Sequence, residues 1–93
     1  MNKQAHGRFE IVNERGLHAR AATKLVTLAS SFKCDIMLSA PEVPAVSAKS
    51  IMGVLLLCGI KGTIVEVEAR GEHAKQAVDA IGALIERGFE ESR

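Results

Sequence analysis

Two kinds of hydrophobic repeat alternate along this chain, and their order restricts the fold more than any other sequence feature. Residues 63–70 place Val65, Val67 and Ala69 at every second position with polar or charged residues between them, as in a strand with one buried face. Residues 72–89 instead carry apolar side chains at the three- and four-residue spacing of an amphipathic helix. Segments that each have one apolar side must bury those sides against one another in layers.

The same two repeats predict a β-α-β-β-α-β-α order for the whole chain. Pro44 cannot donate to a sheet ladder, so the third strand belongs at a sheet edge or begins after this residue. In the last helix, Glu72 falls in the first turn, near the positive end of the helix dipole. The elements predicted before residue 63 are strand 8–13, helix 19–32, strands 34–39 and 45–48, and helix 51–57.

This order indicates an α+β two-layer open-faced sandwich, with a four-stranded antiparallel sheet and three helices on one of its faces. The chain has 93 residues, of which 47% are hydrophobic and 25% are charged. Such a chain is long enough for one core, so we expect a single domain over residues 1–93 with an ordered core at about residues 7–90.

The composition excludes several classes of function. The 12 Lys and Arg residues against 11 Asp and Glu give a formal net charge of +1, which provides no basic surface for nucleic acid or an anionic membrane. Residues 51–60, the longest apolar stretch, are about half the ~20 residues of a membrane span, and residues 1–7 lack an apolar signal region. Cys34 and Cys58 show no zinc-site spacing and are expected to be small buried side chains. We therefore expect a cytoplasmic protein without a metal or cofactor.

A histidine and an arginine stand at the start of the first long helix, in the run GLHAR at residues 16–20. His18 and Arg20 can converge on one anion, and the free backbone amides of a first helical turn add donors and positive potential. Because a neutral imidazole is a nucleophile, this arrangement can hold a phosphoryl group on His18. A surface histidine that only caps the helix is the alternative.

The second helix offers a candidate regulatory residue beside a candidate docking surface. Ser50 is a good N-cap for this helix. The neighbouring Ile51, Met52 and Leu55 provide more apolar surface than one short helix needs to bury, so they are candidates for docking a partner protein. Core packing is the alternative for each, especially for Leu55.

Three further polar residues are candidates for the same docking surface. Thr23 can place its hydroxyl near the site or bond back to its own helix. Lys24 and Lys49 can attract an acidic partner, with an ordinary solvated lysine as the alternative. The sequence assigns no role to His6, His73, Glu86, Glu90 or Glu91, and the two histidines are expected at the surface.

The GLHAR run and a second motif, KSIMGV at residues 49–54, occur at the starts of the first and second predicted helices. With the element order, they resemble HPr, the histidine-containing phosphocarrier family of the bacterial phosphoenolpyruvate-dependent phosphotransferase system, over nearly the whole domain. The resemblance implies sheet order 1-4-2-3, a phosphoryl group carried on a ring nitrogen of His18, and neutralisation of its charge by Arg20. It also implies a carrier protein and not an enzyme.

The family resemblance further implies the partners. Enzyme I would donate the phosphoryl group to His18, enzyme IIA-type proteins would accept it, and an HPr kinase/phosphorylase would modify Ser50. A monomer is the simplest expectation for such a carrier. Sugar uptake and carbon catabolite regulation are the processes that this type of carrier serves.

Ala21 departs from the family pattern, which usually has proline directly after the motif arginine. Proline fixes φ and contributes no N–H, so alanine restores one backbone donor and loosens the turn. Small residues at this position resemble HPr variants of incomplete or nitrogen-linked phosphotransferase chains. A regulatory nitrogen-type relay without sugar transport is therefore an alternative function.

Two other folds are alternatives to the HPr resemblance. A ferredoxin-like ligand-binding module shares the β-α-β-β-α-β order. An RNA-binding KH domain is disfavoured, because the GIKG run at residues 59–62 precedes a strand instead of joining two helices.

Overall fold

The chain adopts the predicted order of strands and helices in a computed structural model that describes residues 3–57 and 59–91. Each element follows the hydrophobic repeat that predicts it, and only its ends differ. The strands are β1 (Gln4–Glu10), β2 (Asp35–Ala40), β3 (Val43–Ser47) and β4 (Ile64–Arg70), and the helices are α1 (Ala19–Ser30), α2 (Ile51–Leu56) and α3 (Ala74–Glu86). A short 3-10 turn, Gly88–Glu90, follows α3.

The four strands form one antiparallel sheet in the order β1-β4-β2-β3. β4, the last strand in the sequence, lies between β1 and β2, so it pairs on both of its sides. β3 is an edge strand and contains Pro44, as expected for a residue that cannot donate to a ladder on both sides. The predicted fold class and sheet order are confirmed.

The core lies between one face of this sheet and the helices. β4 contributes Val65, Val67 and Ala69, all of them buried, as the two-residue repeat predicts. Among the described helices, none is long and apolar enough to cross a membrane. The predicted apolar stripe of the last helix is buried along its whole length, at Ala74, Ala77, Val78, Ile81, Leu84 and Ile85.

The first strand begins four residues earlier than the sequence predicts. It runs over Gln4–Glu10 and not over residues 8–13, because its partner β4 begins only at Ile64, which pairs with Glu10. The sequence pattern does not reveal the first half of the strand, because position 7 is a glycine and has no side chain that could continue the apolar alternation. The Phe9 ring and Val78 pack over the backbone there.

The last helix is shorter than predicted at both ends. It begins at Ala74, after His73 in a left-handed conformation with φ 62°, so Glu72 precedes the helix and does not lie in its first turn. It ends at Glu86, because Gly88 has φ 66° and turns the backbone out of the helix. The predicted stripe residue Phe89 is nevertheless fully buried, from a position beyond the helix.

Smaller corrections concern the other predicted ends and the surface residues. α1 ends at Ser30 and not at residue 32, while β2 and β3 are displaced by one or two residues. Cys34 is buried just before β2, as predicted, and Cys58 lies outside the described residues. His6 and His73 are both exposed, as predicted.

Two glycines bring together the loop before α1 and the loop before β4. Gly16 has φ 64°, and the next residue, Leu17, donates its backbone N–H to the Gly59 carbonyl oxygen at 2.8 Å. A Cβ atom on Gly16 would overlap that same carbonyl oxygen. A side chain at position 16 would therefore disturb the start of α1 as well as strain its own backbone.

We expect Gly16→Ala to destabilise the fold more than Gly62→Ala. Both substitutions force an L residue into a left-handed conformation, which costs about 1–2 kcal/mol. Only position 16 adds a steric overlap, worth roughly 1–3 kcal/mol more, since a Cβ at Gly62 meets no atom within 4 Å. Urea unfolding measures both free energies, and equal losses would contradict the tight contact between the two loops.

Candidate functional site

His18 caps the N-terminus of α1 with its own imidazole ring. Its backbone is extended, with φ −78° and ψ 178°, and its carbonyl oxygen accepts the first helical hydrogen bond, from Ala22 N–H at 2.8 Å. Its ring atom Nδ1 accepts from the backbone N–H of Arg20 at 3.3 Å. Serine, threonine, asparagine and aspartate usually make this kind of bond. The imidazole is therefore fixed against the positive end of the helix, with 24% of its side chain exposed.

The other ring nitrogen of His18 contacts a carboxylate from the far end of the chain. Nε2 is hydrogen-bonded to Glu91 Oε2, and Oε1 of the same carboxylate accepts from Asn13 Nδ2 at 2.9 Å. Asn13 Nδ2 also donates to the Gly16 carbonyl oxygen at 3.0 Å, so Asn13 joins the carboxylate to the loop before α1. The sequence assigned no role to Glu91 or Asn13. A separation of 73 residues between Glu91 and His18 leaves no local pattern that could have found the contact.

The two hydrogen bonds on His18 define which ring nitrogen carries the proton. A backbone N–H can only donate, so Nδ1 must offer its lone pair to Arg20. An ionised carboxylate can only accept, so Nε2 carries the hydrogen and donates it to Glu91. The nitrogen with the free lone pair therefore faces the first turn of α1.

Hydrogen bonding holds the carboxyl group of Glu91 in its ionised form. The bond from His18 lowers the pKa of Glu91 most, and burial opposes it by raising the pKa. The bond from Asn13 and the electrostatic attraction of the His18 ring and of Arg15 lower it further, so the net pKa is below the ordinary value.

Three cations surround this end of the molecule. Arg15, Arg20 and Lys24 line a cleft together with Glu90 and Glu91. Lys24 Nζ is already engaged by the Phe89 carbonyl oxygen at 2.8 Å. Within the described part of the chain, the guanidinium of Arg20 makes no hydrogen bond or ion pair, and it is exposed. Arg20 is thus available to an anion, and its predicted role in binding one stays a prediction. Arg15 was not among the predicted residues.

The first turn of α1 adds backbone donors to the same place. The N–H groups of Ala19 and Ala21 precede the first helical hydrogen bond, which Ala22 makes, so the helix offers them no carbonyl partner. The side chain of Ala21 is fully buried. A proline at this position would remove one of the two donors, and alanine keeps it.

Ser50 and the residues after it have the predicted local geometry. Ser50 Oγ accepts from the Gly53 backbone N–H at 3.0 Å, so Ser50 is the N-cap of α2, as predicted. Met52 is 68% exposed and Ile51 is 37% exposed. Leu55 packs partly against the core, which matches the alternative considered for it. The exposed apolar residue that the sequence did not single out is Leu56, at 64%.

The remaining predicted docking residues bond within the protein. Thr23 Oγ1 donates to the Ala19 carbonyl oxygen at 2.9 Å, the back-bonding alternative. Lys49 Nζ donates to the Phe32 carbonyl oxygen at 2.7 Å and so connects the start of α2 to the end of α1. Over residues 3–57 and 59–91, no group of three or more His, Cys, Asp or Glu side chains is placed to hold a metal ion.

Comparisons with known proteins point to one family. A family model described as the PTS HPr component phosphorylation site matches residues 5–87. Phosphocarrier protein HPr of Pseudomonas putida is 42% identical over 81 residues, covering 87% of this chain and 90% of that protein. Phosphocarrier protein NPr of Escherichia coli strain K12 is 39% identical over 82 residues, covering 88% and 91%. The crystal structure of HPr-C-His from Thermoanaerobacter tengcongensis has a TM-score of 0.89 at 37% identity, over 96% of this chain and 99% of that chain.

The fold and the family match define a phosphocarrier, a protein class that carries a phosphoryl group between enzymes and does not itself catalyse a reaction. The chain belongs to the HPr family of the phosphotransferase system. Its match to the family model ends at residue 87, before Glu91.

The lowered pKa of Glu91 makes part of the folding stability depend on pH. Because the folded carboxyl binds its proton less tightly than the unfolded one, its contribution is fully present above the unfolded pKa of about 4.3. The contribution is lost as the pH falls through the lower, folded-state pKa. We expect the difference in unfolding free energy between wild type and Glu91→Gln to shrink as the pH is lowered below about 4. Urea unfolding at several pH values measures it, and a pH-independent difference would contradict this.

Proposed function

We propose that this protein carries a phosphoryl group on Nδ1 of His18, received from the phosphohistidine of enzyme I and passed to an enzyme IIA-type acceptor. The observation that carries the proposal is the position of Nδ1. Its lone pair faces the first turn of α1, where the backbone N–H of Arg20 donates to it, and the exposed guanidinium of Arg20 belongs to the same turn. The protein would do this as a cytoplasmic monomer with residues 1–93 in one domain.

The proposed transfer needs little covalent chemistry from the protein. The lone pair of Nδ1 forms the new N–P bond while the N–P bond of the donor breaks, and that electron pair returns to the donor nitrogen. Arg20 and the free N–H groups of Ala19 and Ala21 would then balance the charge of the bound phosphoryl group. Because Arg20 is exposed and His18 is partly exposed, the phosphoryl group stays accessible to the next acceptor.

We expect His18→Ala to abolish acid-labile labelling by enzyme I and labelled phosphoenolpyruvate without unfolding the protein. The substitution removes the nucleophile, whereas His6→Ala removes an exposed histidine of β1 whose ring contacts Glu66, and it serves as the matched control. Labelling is measured after acid treatment, and folding by circular dichroism. Undiminished acid-labile label on folded His18→Ala would contradict the proposal.

A nitrogen-type regulatory relay without sugar transport is the second candidate function. NPr of Escherichia coli is almost as similar to this chain as HPr of Pseudomonas putida, at 39% and 42% identity. Offering the phosphorylated protein a sugar-permease IIA protein and a nitrogen-type IIA protein in parallel tells the two apart. Faster loss of label to the sugar-permease acceptor supports sugar uptake and carbon catabolite regulation, and the reverse supports the nitrogen-type relay.

We further propose that an HPr kinase/phosphorylase modifies Ser50 and that the exposed face of α2 docks the partner enzymes. This α2 surface consists of Ile51, Met52 and Leu56, whose side chains are apolar and exposed. A phosphate on Ser50 would lie at the N-terminus of α2, where the helix dipole favours negative charge, so it would leave the fold intact. The same phosphate would add charge to the edge of an apolar docking surface and oppose binding there.

We expect Ser50→Asp to slow transfer from enzyme I by roughly tenfold, the equivalent of about 1.4 kcal/mol, with an unchanged melting temperature. Aspartate is as good an N-cap as serine, so only the surface charge changes. Gln76→Asp is the control, since it adds the same charge at an exposed position of α3. Equal transfer rates for Ser50→Asp and Gln76→Asp would argue against docking at α2.

A further inference from the structure

We propose that Glu91 is a positioning residue for phosphoryl transfer: it holds the His18 ring through Nε2–H and balances the positive charge that the ring gains when Nδ1 takes the phosphoryl group. The proposal rests on the phosphocarrier function proposed above. Glu91 lies outside the residues matched by the family model, so the structure and not the family resemblance assigns this role.

The two nitrogens of the His18 ring are held by partners of opposite kinds. The Arg20 backbone N–H donates to Nδ1, and the Glu91 carboxylate accepts from Nε2. The ring thus has one orientation in which both bonds form, and this orientation aims the Nδ1 lone pair at the first turn of α1. Without Glu91, the ring would be held only by the 3.3 Å hydrogen bond from Arg20 N–H and could tilt about it.

An unusual backbone turn brings Glu91 to this position. Three consecutive residues, Gly88, Phe89 and Glu90, have φ values of 66°, 57° and 62°. The left-handed conformation is unfavourable for the two that are not glycine, so other contacts must hold it. Phe89 is fully buried, and its carbonyl oxygen accepts from Lys24 Nζ at 2.8 Å. The turn therefore presents a carboxylate from a backbone that is anchored in the core.

Asn13 fixes the carboxylate from the opposite side. Its amide nitrogen lies between Glu91 Oε1, at 2.9 Å, and the Gly16 carbonyl oxygen, at 3.0 Å. Asn13 is only 9% exposed, which is rare for asparagine unless it is hydrogen-bonded. Glu91 is thus oriented as well as present, and it is held by the loop that also positions His18.

The chemistry gives this carboxylate a function beyond packing. When the Nδ1 lone pair forms the N–P bond and the donor's N–P bond breaks, the ring becomes positively charged and retains its hydrogen on Nε2. A carboxylate that accepts this hydrogen stabilises the positive charge, as the aspartate does for the histidine of a serine protease triad. When the phosphoryl group leaves, the N–P electron pair returns to Nδ1 and the ring becomes neutral again. Glu91 contacts the Nε2 edge of the ring, whereas the phosphoryl group would be on the Nδ1 edge.

Three variants test the proposal. Glu91→Ala removes the acceptor and its charge, Glu91→Gln keeps an oxygen acceptor without the charge, and Glu86→Gln removes an exposed carboxylate elsewhere near the same end of the chain. The first measurement is the rate of acid-labile labelling from enzyme I. The second is the proton signal of His18 Nε2–H in nuclear magnetic resonance of the unphosphorylated protein, which is visible when a hydrogen bond slows its exchange with water.

We expect Glu91→Ala to slow labelling about tenfold and to lose the Nε2–H signal. Glu91→Gln should keep the signal but recover only part of the rate, because it restores the hydrogen bond and not the charge. Glu86→Gln should match the wild type in both measurements. A wild-type rate in Glu91→Ala, or an Nε2–H signal that persists in it, overturns the proposal.

The two measurements separate this proposal from the phosphocarrier function. If the wild type takes no label from enzyme I, the phosphocarrier proposal fails and the charge-balancing role fails with it. The Nε2–H signal does not depend on enzyme I, so it still decides whether Glu91 positions the ring. If the wild type is labelled but Glu91→Ala is labelled equally fast, only the role of Glu91 is wrong.

Discussion

The site depends on the pairing of β1 with β4. These strands are distant in sequence, yet they align from Gln4 with Arg70 to Glu10 with Ile64. The contact continues past the strands, because Ile11 and the loop before β4 exchange two more backbone hydrogen bonds, with Thr63 at 2.9 Å and Gly62 at 2.7 Å. It therefore sets the loop before α1 against the loop before β4, and the position of His18 follows from that placement.

The helix and the C-terminal turn then act on opposite edges of one imidazole ring. On the Nδ1 edge lie backbone donors of the first turn of α1, which suit an anion. On the Nε2 edge lies Glu91, whose lowered pKa keeps it a hydrogen-bond acceptor. A phosphocarrier must bind its phosphoryl group without keeping it, and this arrangement fits that requirement: the ring is firmly oriented, while Arg20, which would hold the phosphoryl group, is exposed.

The fold was predictable to the extent that its elements carry their own periodicity. The two-residue repeat of β4 and the helical stripe of α3 predict their elements and their buried faces correctly. The first half of β1 was missed, because Gly7 has no side chain to show the pattern. The start of α3 was placed too early, because the left-handed backbone of His73 has no sequence signal comparable to glycine. The sheet order came from the motif resemblance, since spacing alone does not fix which strands become neighbours.

For the functional site, the sequence by itself determined the residues that are close along the chain. His18 and Arg20 are two positions apart at a helix start, and Ser50 directly precedes its helix, so local geometry is enough to place them. Only the tertiary structure decided the rest. Glu91 reaches His18 across 73 residues because the sheet pairing, the buried Phe89 and the left-handed turn bring them together. Such a contact depends on packing between distant segments, and no local pattern of residues encodes it.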